Sequence, residues 1–455
     1  MKRCSNSRSR RIQRDPAQGL AMINPDAAGI DVGSREHWVA VPVDRATSPV
    51  RAFGTFTQNL HELGGWLKAC GVKTVVMEAT GVYWIALFEV LEAAGLEVRV
   101  VNARYAKNVP GRKSDILDCQ WLQKLHSYGL LPNSFRPAAP IRVLRSYMRQ
   151  RENLATGGTQ CVQHIQKALT EMNVRLVEVL SDIMGQSGRR ILMAILDGER
   201  DPHKLAALVD RRVKSTGTRI RQSLEGDWHE EQLFIIRQQF KLYGQYESQM
   251  AECDARIQAQ VCQMQGSGPD EVAAEVQPVA IREALHRLAG VDLTLIEGID
   301  TKTAEIVLSE IGLDMTRWPT EKHFSSWLGL CPNHQITGGK ILRRHTRHVI
   351  NRASTALRRS AYSLLRSRSA LGAKYRRLRA RLGAPKAITA IAHHLARLIY
   401  RMIRFGHDYV AQSIEHYEQK YQKQQLDWLK KRAAEFNMQI VECKLTTPEV
   451  AEVVP

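Results

Sequence analysis

The chain reads as an α/β domain followed by a long helical hairpin and a helical, arginine-rich C-terminal domain. Three patterns predict this. Between Ala27 and about Leu130, short β-branched runs alternate with stretches of helical spacing. From Val162 apolar residues recur at heptad steps. From Lys322 to His407 there is no Asp or Glu, and apolar residues again fall at helical spacing.

Residues 1–24 read as a basic, flexible arm. The domain over 25–145 opens with a strand around Ile30. A second strand at Trp38–Val43 follows after a short polar turn, as in a hairpin, and a third lies near Phe53–Phe56. Leu60–Cys70 has helical spacing, Thr74–Met77 is a buried strand, and Tyr83–Ala94 is a helix ending at Gly95, a suitable C-cap. Val98–Val101 is a further strand, and the stretch carrying Asp115 and Asp118 is a helix. The order β-β-β-α-β-α-β-α is that of a ribonuclease-H-like (RuvC-like) domain.

Across 146–268, Val162, Ile165, Leu169, Met172, Leu176, Val179 and Ile183 form a heptad seam. A second helix carries Ile236, Phe240, Tyr243, Met250, Ile257, Val261 and Met264, with Glu247 and Asp254 interrupting its seam. The two predict a long antiparallel hairpin within the chain or a dimerising coiled coil. Gln265-Gly266-Ser267-Gly268-Pro269 reads as a linker. In the domain over 280–407, Leu295 to Ala304 reads as a helix-hairpin-helix turn: Gly298 supplies the bend, Asp300 caps the next helix, and the free N–H groups suit a phosphate. Arginine-studded helices are expected over 351–381 and 386–405, with a peripheral tail over 408–455.

The net charge of +19 is not spread evenly. Lys322–His407 holds 19 basic residues, 15 of them Arg, while the remaining 46 basic residues balance all 46 acidic ones. A solubilising surface interleaves both signs; a run of guanidinium forks suits phosphate oxygens. Nucleic acid is therefore the expected partner. Candidate contacts are Arg112 and Lys113, then Lys340, Arg343, Arg344, Arg347, Arg352, Arg358 and Arg359. The eight cysteines contain no C-x-x-C pair, which fits reduced thiols. With neither a secretory h-region nor a membrane-length apolar run, a soluble protein of a prokaryotic cytoplasm is expected.

Four carboxylates carry the chemistry. Asp31 in Gly29-Ile30-Asp31-Val32-Gly33 and Glu78 in Val75-Val76-Met77-Glu78 stand at strand ends, and Asp115 and Asp118 share one helix face. A cap for that helix is the structural alternative for Asp115. Together the four suit a hard divalent cation such as Mg²⁺. The first loop also resembles that of actin-like and sugar-kinase ATPases, but no second Asp-x-Gly-Gly-type loop follows. Cys331, His334, His345 and His348 do not have a usual structural-zinc spacing. Thr337-Gly338-Gly339-Lys340 is a polar turn that places a hydroxyl at the entrance to the basic segment, where Lys340, Arg343 or His334 could activate it.

Gly29-Ile30-Asp31, Met77-Glu78-Ala79-Thr80-Gly81-Val82-Tyr83, Lys113-Ser114-Asp115-Ile116-Leu117-Asp118, and Gly329-Leu330-Cys331-Pro332 with Thr337-Gly338-Gly339-Lys340 together resemble the DEDD transposases of the insertion-sequence 110 family. The resemblance implies an N-terminal RuvC-like domain, a coiled coil and a helical C-terminal transposase domain. It also implies Mg²⁺ at Asp31, Glu78, Asp115 and Asp118, a bridge RNA pairing with donor and target DNA, and a homo-oligomer from dimer to tetramer. The family's serine nucleophile aligns with Thr337, a departure that makes either Thr337 the nucleophile or this copy slow or inactive. Two rivals stay open: a Holliday-junction-type nuclease in which the carboxylates activate water, and a non-catalytic nucleic-acid-binding protein.

Overall fold

The structure is a computed structural model and describes residues 21–102, 114–264, 281–346, 351–406, 423 and 426–440. The chain divides into two units, 1–136 and 137–455.

In the first unit the expected element order is present. Strands β1 (Ala27–Val32), β2 (Glu36–Ala40) and β3 (Val50–Gly54) precede helix α1 (Thr57–Ala69). Strand β4 (Thr74–Glu78), helix α2 (Trp84–Ala93), strand β5 (Glu97–Val101) and helix α3 (Asp115–Ser127) follow. The sheet order is β3-β2-β1-β4-β5, antiparallel across β1–β2–β3 and parallel across β1–β4–β5. One face is closed by α1 and α2 through Ile30, Val75, Met77, Leu63, Leu67, Leu87 and Leu91, all fully buried. Side chains of this size contribute about 1.5–3 kcal/mol each when buried. On the other face α3 packs against Val76 and Val101 through Leu122. The described end of the N-terminal arm is tied down, because the N–H groups of Ile23 and Asn24 donate to the carbonyl of Ser127.

In the second unit, α4 (Ala139–Glu171) and α8 (Glu230–Met264) lie antiparallel. Arg151 faces Asp254, Gly157 and Gly158 face Tyr246 and Tyr243, and His164 faces Gln239. The pairing is therefore within one chain. The heptad reading needs correction at its far end. Asn173 takes a left-handed φ of 55°, and the Val174 N–H returns to the Leu169 carbonyl at 2.8 Å, so α4 stops there. Leu176, Val179 and Ile183 are buried as expected, but in a separate core. That core is closed by α5 (Gln186–Leu196), α6 (Pro202–Ala207) and α7 (Gly217–Ser223). Glu247 and Asp254, which interrupt the seam, each meet an arginine, Arg189 and Arg151. The 265–280 linker lies outside the described residues.

Helix α9 (Ile281–Ala289), α10 (Thr301–Ile311) and α11 (Glu321–Trp327) lead to a two-stranded ribbon, β6 (Pro332–Thr337) and β7 (Lys340–Thr346). This ribbon corrects the expectation of an all-helical C-terminal domain. Helices α12 (Arg352–Ser363), α13 (Ala370–Leu382) and α14 (Ala384–Phe405) complete the unit, and residues 426–435 are helical. Trp318, Phe324, Trp327 and Tyr400 form an aromatic cluster that seats α11 on α14, with the Tyr400 hydroxyl donating to the Trp318 carbonyl at 2.7 Å. Arg145 of α4 donates to the carbonyls of Ser309 and Glu310 and so closes the C-terminal end of α10.

Candidate active site

Asp31 and Glu78 directly follow Ile30 and Met77, which are register partners on adjacent parallel strands. Gly29 and Val76 face α3, so alternation along each strand turns Asp31 and Glu78 toward the same helix. Close approach of that helix depends on Gly29: a Cβ there would sit 2.2 Å from the Gln123 backbone nitrogen and 2.4 Å from the Cys119 carbonyl oxygen. Ser127 lies beside Ile23 and Gln123 beside Ala27, so α3 runs back along β1 and brings its first turn, with Asp115 and Asp118, to the strand ends. Ser114, not Asp115, is the helix cap, accepting from the Leu117 N–H at 3.4 Å. Neither carboxylate is therefore needed for capping.

Asp31, Glu78 and Asp118 are half-buried and Asp115 is exposed. Thr80 donates its hydroxyl to Glu78 at 3.5 Å, and Gly81 bends the chain away at a φ of 55°. Between the acids lies Cys119. Burial pushes its thiol up to about 12, and the charges of Asp31 and Asp118 push the same way. Among the described residues no group of three or more His, Cys, Asp or Glu side chains is close enough together to hold a metal ion. The donor chemistry still fits a hard cation: the facing groups are carboxylate oxygens, and the one thiol beside them stays protonated. Arg112 and Lys113 lie outside the described residues.

Thr337 ends β6 and pairs with Lys340 across the tip of the ribbon. Gly338 and Gly339 have φ of 54° and 76°, the positive pair that a two-residue turn matched to strand twist requires. Thr337 and Lys340 are both exposed, so the hydroxyl and the ammonium share an open tip. Arg343 and Arg344 lie on β7 opposite Gln335 and His334, and Arg347 lies outside the described residues. Of the serines near the motif, Ser325 is buried and donates to the Glu321 carbonyl, and Ser354 is buried behind the cap of α12. Neither offers an accessible hydroxyl.

The Gly298 turn has the expected form. Its φ is 85°, and Asp300 accepts from the Thr303 N–H at 2.8 Å. Burial works to raise the Asp300 carboxyl, but hydrogen bonds from the Thr303 hydroxyl and N–H outweigh it and hold the carboxyl below its usual value. Beside this turn an open cavity is lined by Lys302, Arg359, Ser360 and Ser363. Lys302 and Ser363 were not among the expected contacts, although a cation two residues past a capping aspartate is a visible cue. Arg358 is half-buried, whereas Arg352 is ion-paired with Glu152 and Glu310.

Two family models match. One, for an IS110-type DEDD transposase, covers residues 28–174; the other, for transposases of the IS116/IS110/IS902 family, covers residues 292–376. The chain is also 32% identical over 136 residues to an insertion element IS110 protein of 43.6 kDa from Streptomyces coelicolor. That match takes in 30% of this chain and 33% of the other, so the chain spans about a third of the length of the curated relative it matches.

Proposed function

The chain belongs to the IS110 transposase family, and from that premise we propose that it is the DNA recombinase of a mobile element, guided by a structured bridge RNA and acting as a homo-oligomer. The N-terminal unit is read as a RuvC-like domain of ribonuclease-H type, in keeping with its strand order and with carboxylates on strand ends and on the last helix. Asp31, Glu78, Asp115 and Asp118 would hold Mg²⁺, which when bound supplies Lewis-acid polarisation of a phosphoryl oxygen. The observation that carries the reading is the placement of all four carboxylates on the α3 side of the sheet at one end.

Thr337 supplies the nucleophile. Its Oγ1 forms a bond to phosphorus, the bond from phosphorus to the departing deoxyribose oxygen breaks, and the hydroxyl proton passes to a base such as His334 or to solvent. Lys340, its register partner, offsets the charge that develops on the phosphoryl oxygens. Lys302 and Arg359 flank the Asp300 turn and position the backbone of donor or target DNA.

Incubating the protein with a DNA substrate and Mg²⁺, then denaturing, should leave a covalent protein–DNA adduct that Thr337→Ala abolishes and Thr337→Ser retains. An adduct surviving in Thr337→Ala removes Thr337 as nucleophile. Cleavage without any adduct favours the rival nuclease, in which water attacks.

A further inference from the structure

Charge is poorly balanced at one place that this reaction does not use. Helices α13 and α14 pack together, and α11 packs on α14. Lys374 stands on α13, and His393, His394, Arg397 and Arg401 stand on α14 at spacings that share a face. Glu321, the first residue of α11, accepts from Arg397 Nε at 2.8 Å and from Arg401 Nη2 at 3.1 Å. One carboxylate thus serves two guanidiniums, and no acidic residue follows it in the chain until Asp408.

Lys374 is within electrostatic reach of Arg397 and Arg377, and His394 of Lys374, Arg397, His393 and Arg401. Lys374 and both histidines are half-buried, while Arg377 is exposed and marks the solvent side. Burial, then Arg397 and Arg377, hold the Lys374 ammonium below its usual value. Burial, then Lys374 and Arg397, push His394 down to about 3. Crowding cations around two imidazoles in partly dry surroundings destabilises a fold. The same groups suit an anion well: an ammonium point charge, a guanidinium fork and imidazoles that become donors once a negative charge favours their protonation.

We propose that the seam between α13 and α14, built on Lys374, His393, His394 and Arg397, is a phosphate seat that grips the sugar–phosphate backbone of a nucleic acid strand. The proposal rests on the nucleic-acid partner proposed above, but not on the nucleophile or the metal. It predicts a reciprocal trade. Binding stabilises the charge cluster, and removing one cation relieves repulsion in the free protein.

The test uses the full chain without Mg²⁺, with a short DNA duplex and an RNA hairpin measured separately at about 0.15 M salt. Lys374→Gln should bind about tenfold more weakly than the parent and show a salt slope lower by about one. It should also melt at a higher temperature, which loss of a merely structural contact would not cause. Lys374→Arg should retain affinity. Calorimetry near pH 6.5 in two buffers of different ionisation enthalpy should show proton uptake on binding that His394→Gln reduces. A loss confined to one ligand identifies DNA or RNA as the strand held. If Lys374→Gln and His394→Gln bind both ligands with the parent's affinity, slope and proton uptake, the proposal is overturned. It is equally overturned if those variants lose only affinity for a polyglutamate peptide, since the seam would then take an acidic segment. Adduct formation plays no part in these readouts, so failure of the transposition chemistry leaves them interpretable.

Discussion

Thr74 and His126 form a buried hydrogen bond at 2.9 Å, and the imidazole lies on α3 eight residues beyond Asp118. Burial, with Arg99 adding to it, pushes His126 down to about 4 from an ordinary 6.5. The unfolded chain takes up that proton below about pH 6.5 and the folded chain does not until about pH 4. Its contribution is therefore complete above pH 6.5 and is lost as pH falls toward 4, by about 3 kcal/mol. Urea melts between pH 7 and 4 should show this decline, and His126→Gln should flatten it. Residue-level cues were partly legible. Gly298, Asp300 and the four carboxylates follow from spacing and conformational demands. Ser114 as the true cap of α3 was not read, although it stands three residues before Leu117, the N–H it accepts.

At the scale of elements, the ribbon and the end of α4 show what periodicity misses. Pro332 to Thr337 alternates weakly, and its strongest cue is the Gly338-Gly339 pair, which demands positive φ but not strands. Steps of three and four continue past Glu171 because Leu176, Val179 and Ile183 are buried in the distal core, so burial was legible where helix was not. Inside the hairpin, the acidic interruptions are explained by position. Arg151 binds Asp254 through both guanidinium branches, with each group about one-third exposed. Because solvent screens such a pair, Asp254→Asn should cost only about 0.5–1 kcal/mol in urea unfolding, and Arg151→Gln should add little to it in the double variant.

For the whole molecule, the charge distribution sets the physics of association. One continuous segment carries all of the net +19. Counterion release from phosphates bound there should make affinity for duplex DNA fall steeply and log-linearly with salt. Chelating divalent ions should abolish covalent adducts but leave that binding nearly unchanged. A loss of binding on chelation would instead place the cation in recognition. The carboxylate face and the basic segment were both visible as patterns in the chain. The Lys374 seam was not, because its residues come from three helices whose packing no local spacing encodes.

The α4–α8 hairpin has a mechanical consequence. Thirty-three and 35 residues at 1.5 Å per residue make a strut of roughly 50 Å. Arg151–Asp254 pins it within the strut, and Glu247 ties the strut to Arg189 of the distal core. Sliding one helix along the other would strand a carboxylate, so the strut has one length and one rotational setting. Adding seven residues to both helices would carry the distal core outward by about 10 Å with little rotation, whereas adding four would swing it by about 40°. The hairpin thus works as a gauge that fixes both the reach and the heading of whatever its far end carries.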